Sequence, residues 1–348
     1  MSKLFGIPMQ SIMVALLATT ALCLSSLALV AWRNRTMLLI GLSNIPRRKA
    51  QTTLIVFGLM LATAIITSAL AIGDTLAYSM KQQVYDRNGA IDLTLVRGQR
   101  ENGRVAREQG AASYFDRATY DQLRERLANN AAIDGLAPVL IAQAPFVNPT
   151  SQQGEPAASF LAIDERAVGG LGGIAARDGG TLDLGALQGD EILINAKLAT
   201  SLDARVGDRL TVHMHREGNH QELTVTVAGI AAVGGLGGFA PELEQLAILP
   251  ERSLPQFGGE AGRYNMVLVS ARGDAAGGLA HEPAARGALE AAVAGTGLAV
   301  EPRKRDALDQ AERVGSTYTS LFLLCGLFAI AAGVALIFLI FVMLAAER

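Results

Sequence analysis

The fold of this chain is decided by an uncharged stretch of 33 residues, Val314 to Ala346, which reads VGSTYTSLFLLCGLFAIAAGVALIFLIFVMLAA. A transmembrane helix needs about 20 consecutive apolar residues, so this stretch is long enough to cross a bilayer. Two further stretches lack charge, with their apolar parts at Ile12–Trp32 and Thr52–Gly73. The helices of soluble cores are usually shorter than this. We therefore predict three transmembrane helices.

The composition supports a membrane protein with a sizeable external part. Half of the 348 residues are hydrophobic, 18% are charged, the formal net charge is −2 and the mean hydropathy is +0.30. A disordered or nucleic-acid-binding chain would carry more charge and less apolar residue. Both cysteines, Cys23 and Cys325, fall in uncharged stretches, so we expect apolar packing and neither a disulfide scaffold nor a thiolate zinc site.

A cleaved signal peptide is the alternative for the first stretch. Such peptides have apolar regions of 7–15 residues that end in small residues. This stretch is longer and ends in Trp32-Arg33-Asn34-Arg35. We therefore predict a retained transmembrane helix in residues 1–35.

The loop after that helix sets the topology. It contains no acidic residue and five basic ones, which are Arg33, Arg35, Arg47, Arg48 and Lys49. Loops rich in Lys and Arg stay on the cytoplasmic side. We predict a multi-pass protein of the cell (inner) membrane, with the N-terminus and residues 74–313 extracytoplasmic and the C-terminus cytoplasmic. Residues 36–51 fit a basic segment lying on the bilayer surface, and a solvated basic loop fits the composition equally well.

The external region is predicted to be an α+β domain. Two βαβ-like halves bracket a β-rich insert at about 165–255. The predicted strands are Ile91–Val96, Leu136–Val147, Glu191–Asn195, Arg209–His215, Leu223–Ile230, Met266–Ser270 and Leu298–Val300. The predicted helices are Asp116–Ala128, Ala196–Leu202 and Pro283–Val293. Two glycine-rich runs, Gly169–Gly173 and Gly234–Gly238, are interpreted as flexible surface loops.

Part of the third helix is expected to project beyond the membrane. Its uncharged stretch would be roughly 50 Å long, against a bilayer core of about 30 Å. Apolar or small residues recur every three or four positions after the second helix and before the third. We predict that they pack as an antiparallel helical stalk: Leu76, Met80, Val84, Leu308, Ala311, Gly315 and Tyr318.

The sequence contains no catalytic motif that we can identify. The Walker A, Gly-x-Ser-x-Gly and His-Glu-x-x-His patterns are absent. His213, His215 and His220 could form a metal site with Glu217 or Glu222. Histidines beside a polar hairpin turn are more often solvated, so we expect no enzyme, no metal and no cofactor.

Several stretches, in their order and spacing, resemble the MacB/FtsX/LolE-type ABC transporter permeases. They are Gly41–Gly58 (GLSNIPRRKAQTTLIVFG), Gly89–Val96, Ile192–Ala199, Val206–Leu210, Val227–Ile230 and Phe322–Arg348. The resemblance covers about residues 36–348. It assigns 76–313 to a MacB-like extracytoplasmic core domain, 52–75 to a transmembrane helix, and 314–346 to the start of an FtsX-like membrane domain.

The resemblance implies a permease subunit of the mechanotransmission type. A separate cytoplasmic ABC ATPase would bind the ATP, and the stalk would pass its motion outward. Implied partners are a second permease copy or the remaining permease half, an extracytoplasmic accessory protein or lipoprotein, and the bilayer, but no nucleic acid. Two departures are the extra helix in 1–35 and the end at Arg348, where the family continues, so we expect an N-terminal part of a longer permease. The alternative is a membrane-anchored binding or sensor module without an ABC partner.

Overall fold

The structure is a computed structural model that describes residues 3–4, 7–34, 36, 49–101, 104–128, 130–216 and 219–346. The chain divides into two compact units. One consists of Met1–Lys81 and Asp309–Arg348, and the other is Gln82–Leu308. We describe each unit by itself.

The described residues form six α-helices and eighteen short or long strands. The helices are α1 Met9–Arg33, α2 Lys49–Asn88, α3 Arg117–Leu127, α4 Ala196–Ser201, α5 Gly278–Ala292 and α6 Arg303–Ala346. The first nine strands are β1 Lys3–Leu4, β2 Ile7–Pro8, β3 Leu93–Glu101, β4 Arg104–Arg107, β5 Phe115–Asp116, β6 Ile133–Gln143, β7 Phe146–Asn148, β8 Gln153–Glu155 and β9 Ser159–Ile163. The others are β10 Ile174–Ala175, β11 Thr181–Leu182, β12 Glu191–Asn195, β13 Arg209–Arg216, β14 Asn219–Ala231, β15 Leu246–Pro250, β16 Arg263–Tyr264, β17 Met266–Ala271 and β18 Leu298–Glu301.

Four strands of the unit 82–308 form a ferredoxin-like subdomain. Their spatial order is β18-β3-β17-β6, and each pairing is antiparallel. Strands β3 and β6 are therefore parallel to each other with β17 between them, and β17 and β18 are parallel with β3 between them. Helix α3 lies between β3 and β6 in the chain, and α5 between β17 and β18. The two predicted βαβ segments thus interleave as split βαβ units.

Helix α3 confirms the prediction made from its apolar spacing. Asp116 is its N-cap and accepts a hydrogen bond from the backbone N–H of Thr119 at 2.9 Å, which satisfies a donor left free at the helix start. Three residues on one face are buried: Tyr120, Leu123 and Leu127. They share a core with Leu289 of α5, so both helices cover the same face of the sheet.

Apart from β4, which pairs with β3, the remaining strands of this sheet belong to an insert between β6 and β17. Strand β9 pairs with β6, and the order then continues β15-β12-β14-β13-β7-β8. The strands of the insert begin with Phe146, about 20 residues before the predicted start at 165. Pro145 has no N–H to donate to a ladder, and the predicted strand Leu136–Val147 is divided there into β6 and β7.

The interpretation as a surface loop is wrong for Gly234–Gly238, in which three of the five residues are buried, whereas Gly169, Gly170 and Gly172 of the first run are exposed, as expected. Leu171 and Leu236, one in each run, are buried in the core. A Cβ on Gly135 of β6 would lie 2.1 Å from the carbonyl oxygen of Gly170, and a Cβ on Gly234 would lie 2.2 Å from that of Asp86. Here glycine allows backbone segments to touch, a use that composition does not distinguish from flexibility.

Helix α5 begins at Gly278, five residues before the predicted start at Pro283. A proline inside a helix leaves the carbonyl four residues earlier without its usual partner. That carbonyl belongs to Leu279, and Arg305 lies 3.4 Å away as a hydrogen-bond donor. A contact from α6 thus lets α5 continue through a residue that the sequence rules treat as a boundary.

Among the described residues, one helical segment, Arg303–Ala335, is long and apolar enough to cross a membrane by length and composition. A shorter apolar helix spans Leu17–Val30. The transmembrane helices in 1–35, 52–75 and 314–346 remain predictions. Most of the basic segment 36–51 lies outside the described residues.

We predict that Gly135→Ala lowers the free energy of unfolding by about 1–3 kcal/mol, since backbone at Gly170 cannot move aside for the methyl group. Urea unfolding of the detergent-solubilised chain, followed by circular dichroism, measures this. Gly287→Ala is the control, because Gly287 lies on the exposed face of α5 with open space around it. It should stabilise the chain by up to about 1 kcal/mol. Equal effects of the two substitutions would contradict the packing argument.

Candidate functional site

A buried lysine in the first turn of α6 pairs with a buried carboxylate inside the unit Gln82–Leu308. The side chain of Lys304 is 0% exposed, and its Nζ lies 2.5 Å from Oδ1 of Asp92, which is 1% exposed. The same ammonium donates to the carbonyl oxygens of Gly89 at 2.7 Å and Ala275 at 2.9 Å. Lys304 therefore holds together the end of α2, the entrance to β3 and the loop before α5.

Asp92 has a backbone hydrogen-bond partner in addition to Lys304. Its Oδ2 accepts the backbone N–H of Ala271, at the end of β17, at 2.9 Å. Gly278 packs directly on the carboxylate, where a Cβ would lie 2.5 Å from Oδ2. Burial raises the pKa of the Asp92 carboxyl, and the hydrogen bond and positive charge of Lys304 oppose that rise. A carboxylate in this position is tolerated because a cation and a backbone donor meet it.

A second ion pair lies beside the first. Arg305 Nε donates to Oε2 of Glu282 at 2.5 Å, and the Glu282 side chain is 2% exposed. Arg305 also reaches Leu279, as described above. Consecutive residues of α6 thus contact the loop before α5 and the body of α5.

The preceding residue of α6 contacts the insert. Arg303 pairs with Glu242 of the turn Pro241–Leu243, and its guanidinium lies 5.7 Å from the centroid of the Phe239 ring. Arg107 of β4 makes two hydrogen bonds to Glu301, at 2.7 and 2.5 Å. Its Nη1 lies 3.9 Å from Oε1 of Glu242. This network is more exposed than the Lys304 pair, and exposed pairs contribute little each.

The insert also contacts the end of α2. Gly234 packs on the carbonyl of Asp86, and a Cβ on Gly89 would lie 2.9 Å from Cα of Gly235. The glycine run Gly234–Gly238 is therefore the surface by which the insert meets this helix end. Side chains at these positions would separate the two.

The predicted stalk residues fall in both units. In the first, Gly315 packs on Ala77, where a Cβ on Gly315 would lie 3.0 Å from the Ala77 Cβ, and Lys81 Nζ lies 3.5 Å from Glu312 Oε2. Of the predicted set here, Ala311 and Gly315 are buried, Leu76 and Met80 are half-buried, and Tyr318 is exposed. Val84 and Leu308 are half-buried in the second unit. The stalk as a whole stays a prediction.

The other predicted site residues are only partly described. Arg33 is exposed at the end of α1, and Lys49 begins α2. Arg35, Arg47 and Arg48 lie outside the described residues. His213 Nδ1 lies 3.6 Å from Glu222 Oε1. Among the residues that the structure describes, no group of three or more His, Cys, Asp or Glu could hold a metal ion.

The sequence analysis missed the Lys304 cluster. Two signals could have indicated it. Asp92 is the one charged residue of the predicted strand Ile91–Val96, and Arg303-Lys304-Arg305 is a basic run at the end of the predicted external domain.

A large groove opens between the ferredoxin-like subdomain and the insert. It encloses about 1000 Å³. Its floor includes Leu140 and Ala142 of β6, Phe160 of β9 and Phe257 from the turn after β15. Clefts between subdomains are common ligand sites.

We predict that Lys304→Met lowers the free energy of unfolding by about 3–5 kcal/mol, because Asp92 would remain buried without its cation. Lys197→Met is the matched control. Lys197 makes a similar short pair with Glu244 at 2.6 Å, but both side chains are over 40% exposed, so its loss should cost less than about 1 kcal/mol. Urea unfolding of the solubilised chain checks both values. Adding Asp92→Asn to Lys304→Met should recover part of the loss, and no recovery would contradict the stranded-charge explanation.

Comparison with known proteins identifies the family. The MacB-like periplasmic core domain family matches residues 52–290. Similar solved structures include the periplasmic region of MacB from Actinobacillus actinomycetemcomitans (13% identity, 64% of this chain, 93% of that chain, TM-score 0.41). Another is the extracellular domain of the noncanonic ABC-type transporter YknZ from Gram-positive bacteria (12% identity, 60% of this chain, 100% of that chain, TM-score 0.37). No curated protein sequence matches. The match over most of the chain shows that this protein belongs to the family of ABC transporter permeases with a MacB-like periplasmic core domain.

Proposed function

We propose that this chain is a permease subunit that couples ATP hydrolysis, by a separate cytoplasmic ABC ATPase, to movement of its extracytoplasmic domain. The observation that carries the proposal is the buried Lys304 pair at the start of α6. Lys304 lies in the first turn of α6, and the apolar segment of that helix is long enough to cross a membrane. A shift of α6 would therefore act directly on the external domain.

Breaking the Lys304–Asp92 pair would cost more free energy than moving the joined segments together. Separating Lys304 from Asp92 would leave two charges in a dry environment, at a cost of several kcal/mol. The backbone contacts of the ammonium with Gly89 and Ala275 would be lost at the same time. Moving the joined elements together costs less than breaking these contacts, so motion of α6 would be passed to α2, β3 and α5.

The membrane arrangement that fits this function is the predicted one. Three transmembrane helices in 1–35, 52–75 and 314–346 would place the loop 36–51 and the C-terminus in the cytoplasm. The stalk residues of α2 and α6 would join the membrane part to the external domain. A second permease copy or permease half, and an accessory protein or lipoprotein outside, complete the proposed assembly.

The large groove supports a second candidate function. A membrane-anchored binding or sensor module without an ABC partner would need an external ligand cleft, and a groove of about 1000 Å³ would serve that need. Such a module would not need α6 to transmit force.

The first test is affinity purification of the chain from its native membrane, with mass spectrometry of the proteins that co-purify. We expect an ATPase with Walker motifs, because the chain has none of its own. Recovery of the chain without any such ATPase would favour the anchored binding module.

A second test addresses the coupling itself. In the complex with its ATPase and a second permease copy, spin labels on the external domains of the two copies should report a distance change when a non-hydrolysable ATP analogue is added. Lys304→Gln should reduce this change at least twofold, because a neutral amide cannot replace the buried cation. Lys197→Gln, at the exposed pair, should leave it unaltered. An unchanged response in Lys304→Gln would mean that the pair stabilises the domain without transmitting motion.

A further inference from the structure

A pocket of about 190 Å³ lies between the ferredoxin-like subdomain, the insert and the start of α6. It is smaller than the groove described above, but it has room for several water molecules and therefore for a small ligand. Among the described residues that line it, the charged side chains are three arginines and two glutamates: Arg97, Arg107, Arg303, Glu108 and Glu242. Guanidinium groups favour ligands that carry a carboxylate or a similar planar anion.

Arg303 is the most enclosed of the three arginines. Its side chain is 15% exposed, against 39% for Arg97 and 38% for Arg107. The ring of Phe239 lies under its guanidinium, and its hydrogen bond to a carboxylate goes to Oε1 of Glu242. A guanidinium carries more N–H donors than one carboxylate oxygen accepts. The pairing with Glu242 therefore does not use all the donors of Arg303.

The other nearby carboxylate, Glu301, serves mainly Arg107. Both of its oxygens accept hydrogen bonds from Arg107, and these bonds raise the pKa of that guanidinium. Oε2 of Glu301 lies farther from Arg303, at 3.7 Å from its Nε. Burial lowers the pKa of Arg303 and the charge of Arg107 adds to this effect, whereas Glu242 and Glu301 oppose it. The positive charge of Arg303 is thus less well compensated than that of Arg107.

Glu242 lies where the carboxylate of a ligand would bind. Its Oε1 contacts Arg303 and lies 3.9 Å from Nη1 of Arg107, so one carboxylate oxygen sits between two guanidinium groups. The Glu242 side chain comes from the short turn Pro241–Leu243 and is 51% exposed. An ion pair with an exposed partner contributes little to stability. Exchanging this carboxylate for another would therefore cost the fold little.

We propose that this pocket binds ligands through a carboxylate group that displaces Glu242 from Arg303. A guanidinium and a carboxylate can form two parallel hydrogen bonds, and a ligand can adopt that geometry without being tied to the turn that carries Glu242. The exchange keeps the charge of the pocket constant, because one carboxylate leaves as another arrives. The inference goes beyond the proposed function, since binding here needs no ATPase.

Fluorine NMR of trifluoroacetate tests this site, with the full chain in nanodiscs of zwitterionic lipid at fixed ionic strength. Broadening of the fluorine signal of this small carboxylate reports its binding to a large particle. We expect saturable broadening that excess acetate reverses. Trifluoroacetamide, which has the same trifluoromethyl group and no charge, should not be broadened. Equal broadening of the two probes, or broadening that acetate does not reverse, would overturn the proposal.

Glu242→Gln removes the competing charge and should lower the Kd of trifluoroacetate about fivefold or more, because more chains have a free site. Glu244→Gln is the matched control. Glu244 lies two positions further on, pairs with Lys197 and is not part of the lining, so its loss should leave the Kd unchanged. An unfolded chain would not gain affinity, so the result does not depend on how well the variant folds. An unchanged Kd in Glu242→Gln would contradict the displacement.

Arg303→Gln should raise the Kd about tenfold or more, because a hydrogen-bonding cation is lost. Arg286→Gln removes an arginine that pairs with Glu290 on α5, outside the pocket, and should not alter binding. Equal effects of the two substitutions would overturn the assignment of the site to Arg303.

A competition experiment distinguishes two sources of the carboxylate. If acetyl-alanyl-alanine displaces trifluoroacetate at a lower concentration than acetate does, the pocket recognises the C-terminus of a peptide. If acetate is the better competitor, the pocket recognises a small free acid. Failure of both to compete would overturn the proposal.

Discussion

The ammonium of Lys304 is enclosed by protein on all sides, and the surrounding structure is arranged to satisfy it. A carboxylate and two backbone carbonyls supply its partners, and each comes from a different segment of the external unit. The carboxylate in turn needs the N–H of Ala271 and the missing side chain of Gly278. Since a buried charge is stable only when fully paired, the start of α6, the end of α2 and the edge of the ferredoxin-like sheet are fixed relative to one another.

The insert contacts the start of α6 and the end of α2 through interactions that are more exposed than the Lys304–Asp92 pair. Arg303 and Arg107 reach Glu242, and the glycine run Gly234–Gly238 lies against the end of α2. The residues at the start of α6 therefore divide their contacts, with Lys304 and Arg305 on the ferredoxin-like subdomain and Arg303 on the insert. The groove lined by β6, Phe160 and Phe257 lies between the same two subdomains.

The family match and the contacts of Lys304 bear on different properties of this protein. The match over residues 52–290 establishes the MacB-like periplasmic core domain. It does not explain how such a domain would respond to a helix outside it. The buried Lys304–Asp92 pair is the contact on which the proposed coupling rests, and the transmembrane arrangement proposed for the rest of the chain rests on uncharged stretches and basic loops.

The sequence by itself determined the local features of this protein. Apolar spacing and an N-cap identified α3 with its buried face, and alternation identified strands such as β13 and β14, because these signals depend on neighbours in the chain. Only the tertiary structure decided that the two βαβ segments interleave, that the glycine run Gly234–Gly238 is packed, and that Asp92 meets Lys304 from more than 200 positions away. Contacts of this kind depend on which distant segments the fold brings together. The sequence shows a charged residue in a strand and a basic run at a helix start, but it does not show that the two form an ion pair.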